Sequence, residues 1–170
     1  MTETCATPDP TMEAIGDAVL RGRGGDPEPA RRDLLALWRQ IGITGDPFHR
    51  CTLAHYLADL YEEPAEALIW DVRALDAAAA LTDQRARHHH AGLTVAGFYP
   101  SLYLNIADNL RRLGAFDAAI EHLDNAQEHI SALSDDAYGI MIRTAIDEVR
   151  EAVDDRDRSR RKSAPGTTGG

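Results

Sequence analysis

The segment Pro100–Ala126, PSLYLNIADNLRRLGAFDAAIEHLDNA, constrains the fold more than any other stretch of the chain. Leu102, Ile106, Leu110 and Leu113 recur every three or four residues, the spacing of one helix face. Gly114 interrupts the run, and the same period resumes in Phe116, Ala119, Ile120, Leu123 and Ala126. The pattern predicts two amphipathic helices joined by a tight turn. Such a hairpin cannot cover its own apolar stripes, so it demands stacked neighbours.

The rest of the sequence supplies them. Alanine, leucine, arginine and glutamate dominate and favour helix, and no extended β-branched run competes. Thr11 is the expected cap of a first helix carrying Met12, Ile15 and Val19. Asp26-Pro27 and Asp46-Pro47 each place a capping acid before a proline, a helix-start signal. The helices they open carry Leu34, Leu35, Leu37, Trp38 and Ile41, then Leu53, Ala54, Leu57 and Leu60. Pro64 opens a fourth, with Leu68, Ile69, Val72 and Leu75 as its stripe. Ser134 is the expected cap of a last helix carrying Tyr138, Ile142, Ile146, Val149 and Val153. Between Thr82 and Gly97 the pattern weakens, and Asp83–His90 reads either as a helical extension or as a short separate helix. The prediction is an all-α fold of about seven helices in antiparallel hairpins, with one domain over residues 10–157. Residues 1–9 read as a flexible lead and 158–170 as a disordered tail, its basic run Arg156–Lys162 solvated.

A formal net charge of -10 argues against nucleic acid as the main ligand, because phosphate binding needs a concentrated cationic face. The N-terminus carries no apolar leader, and no stretch approaches the roughly 20 apolar residues that span a bilayer. Cys5 and Cys51 form no CxxC pair and read as free thiols. Together these features lead to the expectation of a soluble cytoplasmic protein.

Residues 100–131 resemble a tetratricopeptide repeat. The small residue at the close helix crossing is Ala107, the turn glycine is Gly114, and Phe116 follows it. Ala119 and Ala126 are the small residues of the second helix, and Tyr103 stands for the large aromatic near the repeat start. Ser131 replaces the closing proline. A degenerate second copy at Phe48–Leu75 matches through Leu53, Ala54, Leu57, Leu60, Ala67 and Ala74. The chain is similar to small tetratricopeptide-like proteins of actinobacteria. The resemblance implies a short right-handed superhelix whose concave face, lined by the first helix of each pair, binds a peptide or helix of a partner protein. Carried over by position, that face would present Phe48, His55, Asp59, Ser101, Leu104, Asp108, Arg111 and Arg112. Arg111 and Arg112 would then meet acidic groups on the partner. The family's clamp for C-terminal carboxylates uses Lys and Asn in several repeats, whereas here Asn105 stands alone and the groove has no lysine.

An alternative reading is a metal-binding protein or metal-dependent enzyme. His55 and Asp59 are four residues apart and share a helix face, as paired ligands do. His88, His89 and His90 are consecutive, so on a helix they point about 100° apart and one at most could join them. His122 and His129 lie two turns apart and read as a hydrated outer face. Trp38 and Trp70 fall on apolar stripes and belong to the core. Ser101, Ser131 and Ser134 stand at helix ends, where capping accounts for them, and no nucleophile-and-base set emerges. The leading expectation is therefore a cofactor-free, non-catalytic adaptor. A third is a module that pairs with itself as a homodimer.

Overall fold

The computed structural model describes residues 9–163. Among them are eight α-helices: α1 (Pro10–Arg23), α2 (Pro27–Ile41), α3 (Pro47–Ala58), α4 (Pro64–Ala79), α5 (Asp83–His89), α6 (Tyr99–Arg112), α7 (Phe116–Glu128) and α8 (Ala137–Asp154). Helices α1 and α2, α3 and α4, and α6 and α7 pack as three hairpins, with α4 laid on α6 and α8 closing the stack against α6 and α7. No strand occurs among the described residues, and no helix there is long and apolar enough to cross a membrane.

The starts of these helices follow from local chemistry. Helices α1 to α4 all carry proline in the first turn, where its missing N–H leaves no intrahelical bond unmade. Asp46 caps α3 by accepting from the Phe48 amide at 2.9 Å, while Asp26 holds the capping position of α2 without a side-chain bond. Two expected caps are corrected. Asp9, not Thr11, caps α1, accepting from Met12 at 3.1 Å; Asp136, not Ser134, caps α8, accepting from Gly139 at 2.8 Å. In both cases an acid one turn ahead of the first helical amides reaches them better than the hydroxyl singled out. Gly114, at φ 85°, makes the reversal between α6 and α7 in a region that side chains avoid.

Asp9 also corrects the expected boundary of the flexible lead. Its Oδ2 lies 2.8 Å from His49 Nε2 and 3.3 Å from Arg85 Nη2, and Arg85 Nε donates to Asp46 at 2.6 Å. One ionic knot thus joins the starts of α1 and α3 to α5. Partial burial pushes the Asp9 carboxyl up, but the His49 contact, the Met12 amide and Arg85 outweigh it and hold it below its ordinary 3.8. Asp9→Ala is expected to cost about 1–2 kcal/mol, read as a lower urea midpoint with unchanged slope. A group with a depressed folded pKa stabilises above its unfolded value. The deficit should therefore shrink as pH falls below 3.8.

The core has two parts. Ile15, Leu34, Leu53, Leu57, Ala74 and Leu102 fill the first, with Trp38 edge-on to Trp70 at 5.3 Å. Leu104, Ala107, Leu123, Ile142, Ile146 and Val149 fill the second. The expected stripe of α4 is rotated: Ile69 and Val72 are 53% and 50% exposed, while Ala67, Trp70, Asp71, Ala74 and Ala77 are buried. Helix α4 is covered on two sides, by α3 and α6, and alanines let both approach closely. Leu113 and Ile120, counted in the opening stripe, are also partly exposed.

The weak stretch at 82–97 holds a separate helix. Thr82 caps α5 by accepting from Arg85 N at 3.2 Å, and a 3-10 turn at Val95–Gly97 follows, its Val95 amide donating to Asp83 at 2.8 Å. Cys51 is buried and its thiol is pushed up to about 12, so it is an inert core residue; Cys5 lies outside the described residues. After α8 the chain reverses at Arg156, φ 52°, and residues 157–163 return across α6. Arg160 and Arg161 are half-buried there, which departs from the solvated tail expected, while Arg158, Ser159, Lys162 and Ser163 are exposed; residues 164–170 lie outside the described residues.

Candidate functional site

A second polar cluster lies in a cleft between α3, α4 and α6. Asp71 of α4 is almost fully buried in the α4–α6 seam. Its two carboxyl oxygens accept from Asn105 Nδ2 at 3.3 Å and Asn109 Nδ2 at 2.8 Å, donors one turn apart on α6. Burial raises the Asp71 pKa well above the ordinary carboxylate range, and the charges of Asp59 and Asp108 add to the rise against the two amides. Asp59, at the end of α3, is pushed up to about 7 by burial, with Arg23 and Arg160 opposing. Asp71 therefore sits in a poorly hydrated space in which the charges of two neighbouring carboxyl groups make it harder to ionise.

Arginines balance them. Arg111 has no exposed surface, and its Nε and Nη2 donate to Asp108 Oδ1 at 3.0 and 2.7 Å. Its outward nitrogens donate to backbone carbonyls of the returning segment, Nη1 to Asp157 and Nη2 to Ser159 at 2.8 Å. Arg161 enters from that segment, donating from Nε to Asp108 Oδ2 at 3.2 Å and from Nη1 to Glu148 of α8 at 3.1 Å. Its side chain is only 10% exposed. Arg160 lies beside Asp59 and lines the same cleft. The space left between these groups is about 40 Å³, room for a water or two and nothing larger.

The structure sorts the expected groove residues. Asp59 and Asp108 are brought together at the cleft, and Arg112 lies at its edge, donating from Nη2 to the Glu62 carbonyl at 2.7 Å. Burial lowers the Arg112 pKa. Arg111 is not a free cation awaiting an acidic partner, because Asp108 already neutralises it inside the protein. Leu104 belongs to the second core, and Ser101 is buried with its hydroxyl donating to Phe98 O at 3.0 Å. Phe48 is buried at the opposite end of α3, against His89 and Phe98 and under the Arg85 guanidinium. In each case a helix expected to show that face to solvent instead meets a neighbouring helix or loop.

The histidines do not assemble a metal site. His55 is held neutral, pushed down to about 4 by burial, and its buried Nδ1 has no hydrogen-bond partner. His89 packs with its ring tilted against Phe48, two helical turns back along α3 from His55, and His88, His89 and His90 are all exposed. Among the described residues, no three His, Cys, Asp or Glu side chains are placed to hold a metal ion. His122 and His129 pack against Tyr103 at 6.1 and 5.8 Å, and each Nδ1 lies 2.9 Å from a carbonyl of its own helix. They do not form the hydrated face expected of them.

Asp71, Asn109 and Arg161 escaped the sequence reading. An acid amid the apolar stripe of α4 was the available signal for Asp71, and the four-residue spacing of Asn105 and Asn109 was the signal for its partners. Nothing local marks Arg161, whose acids lie far away in sequence. Compared with known proteins, the chain matches no family model, no curated protein and no solved structure.

Proposed function

We propose that this chain is a protein-binding adaptor whose cleft takes a positively charged segment of another protein. The reading keeps the adaptor role implied by the tetratricopeptide resemblance and reverses the partner's charge. It is carried by one observation: the cleft into which the chain's own Arg161 reaches is lined by Asp59 and Asp108, with Asp71 and its two asparagines beneath. Carboxyl groups suit a guanidinium, which offers five donors in a planar fork. The apolar contribution is small, limited to Ala58, Ala67 and the Tyr61 ring, so a hydrophobic helix would find little to bury. Asp59 supports the same reading from energetics. A carboxyl pushed up to about 7 destabilises the fold when it ionises, a cost that a cationic ligand offsets.

The test uses the full chain carrying Arg160→Ala and Arg161→Ala, which removes the two guanidinium groups that the returning segment brings to the cleft. Fluorescence anisotropy should show a labelled arginine-bearing peptide binding this protein, and a glutamate-for-arginine version of the peptide failing to bind. Adding Asp59→Lys should abolish binding. Equal binding of both peptides, or of neither, would sink the proposal.

A further inference from the structure

The returning segment is held as a ligand would be. Its backbone is gripped through the Asp157 and Ser159 carbonyls by a buried arginine, Arg111, in contacts that do not depend on side-chain identity. Its direction is set by an internal turn, in which the Asp157 carboxylate accepts from Ser159 N and from Ser159 Oγ, both at 2.8 Å. Its specificity lies in two adjacent arginines: Arg161 is held by Asp108 and Glu148, and Arg160 lines the same cleft as Asp59. Further anchors stand at either end: Arg158 Nε donates to the Arg112 carbonyl at 3.1 Å, and Ser163 Oγ to Glu148 at 2.6 Å. Backbone contacts, an ordered turn and paired charge recognition together exceed what sealing a helix end requires.

From this we infer that residues 157–163 are a built-in occupant of the cleft, and that the partner presents the same chemistry, two adjacent arginines following a short turn, and binds by displacing them. The inference rests on the adaptor reading above and names its partner class. Competition follows from space, since the about 40 Å³ left beside Arg160 and Arg161 cannot admit a second segment. It also follows from tethering. Only Asp155 and Arg156 separate α8 from the segment, so its effective concentration at the cleft is on the order of millimolar or higher. The protein is therefore self-occupied at rest, and a partner succeeds by exceeding the internal segment in contacts or in local concentration. An arginine pair is favoured over lysine because Arg161 divides its fork between Asp108 and Glu148, which a single ammonium reaches less well.

The probe is a fluorescein-labelled peptide of residues 157–163, DRSRRKS, added to three full-length proteins: wild type, Arg160→Ala/Arg161→Ala, and Arg160→Lys/Arg161→Lys. The double alanine variant should bind it at least about tenfold more tightly than wild type, with the lysine variant between them. Excess peptide should raise amide hydrogen exchange in residues 157–163 of the wild type and leave α7 unchanged. Circular dichroism melts check that all three proteins are folded. Equal affinity of wild type and the alanine variant overturns the built-in occupant while leaving the adaptor reading standing. Protection of 157–163 in the wild type, with no peptide binding to a folded alanine variant, overturns both, because the segment is then only a structural seal. A dimer that appears with rising concentration and is lost in the alanine variant also overturns the inference, since the segment would then seat in a second copy.

Discussion

Arg111→Met should lower stability by about 3–5 kcal/mol, the range found when one partner of a buried ion pair is removed. The side chain has no exposed surface and fills volume as well as carrying charge. Methionine replaces much of that volume but makes none of the hydrogen bonds. Asp108 would keep only Arg161, and the carbonyls of Asp157 and Ser159 would lose their donor. Thermal denaturation should show a drop on the order of 10 °C for a chain of this size. Arg112→Met supplies the control. Arg112 is half-buried and its side chain donates to one carbonyl, that of Glu62, so its loss should stay within about 1 kcal/mol. Equal melting temperatures for the two variants would refute the buried role of Arg111. The double variant Asp108→Leu/Arg111→Met separates charge from packing, because removing both partners leaves no orphaned carboxylate and should recover part of the loss.

Asp59→Asn is expected to act in the opposite sense and to do so with a pH dependence. Burial holds the Asp59 carboxyl near 7 in the folded protein, against 3.8 when exposed. A carboxyl with a raised folded pKa binds more protons folded than unfolded throughout that interval. Stability therefore falls as pH rises from about 4 to about 7 and then levels off. At 1.36 kcal/mol per pKa unit, the asparagine variant should gain on the order of 2–4 kcal/mol at pH 8 and almost nothing at pH 4. Chemical denaturation at the two pH values measures both. A gain of the same size at both would show that the effect is packing and not ionisation. Asp71 contributes in the same direction, since burial raises it too. The protein thus keeps a destabilising acid at its cleft, and the variant that gains stability should lose hold of Arg160 and of a cationic partner.

These two residues also show what could be read before the fold was known. Helix positions were legible because their signals are local: proline in the first turn, an acid one turn ahead, a glycine at the reversal. The hairpin at 100–126 was legible for the same reason. Asp59 and Asp108 were named as polar contacts from their places on the first helix of each pair, and the cleft does contain both. Arg111 and Arg112 are chemically identical neighbours, and no local rule separates the one with no exposed surface from the one at the cleft edge. About 100° of helical rotation divides them, and α8 with the returning segment decides which direction is inside.

The face of α4 makes the same point in the core. Ile69 and Val72 carry more apolar surface than the alanines, so periodicity weighted by side-chain size chose them. The structure buries Ala67, Ala74 and Ala77 instead, because two helices approach α4 closely and large residues would hold them apart. The tetratricopeptide resemblance did single out Ala67 and Ala74, whereas periodicity alone passed over them.

By itself, then, the order of residues determined the all-helical class, the hairpins and most of their ends, because backbone capping, proline placement and the 3.6-residue period act within a few residues of chain. Only the tertiary structure decided what the surface offers. The pairing of Asp71 with Asn105 and Asn109, the bonds of Arg111 to the returning segment and the return of Arg161 to Asp108 join residues 34 to 53 positions apart. Electrostatic and packing energies depend on distance in space and on access to water, and neither is encoded in spacing along the chain.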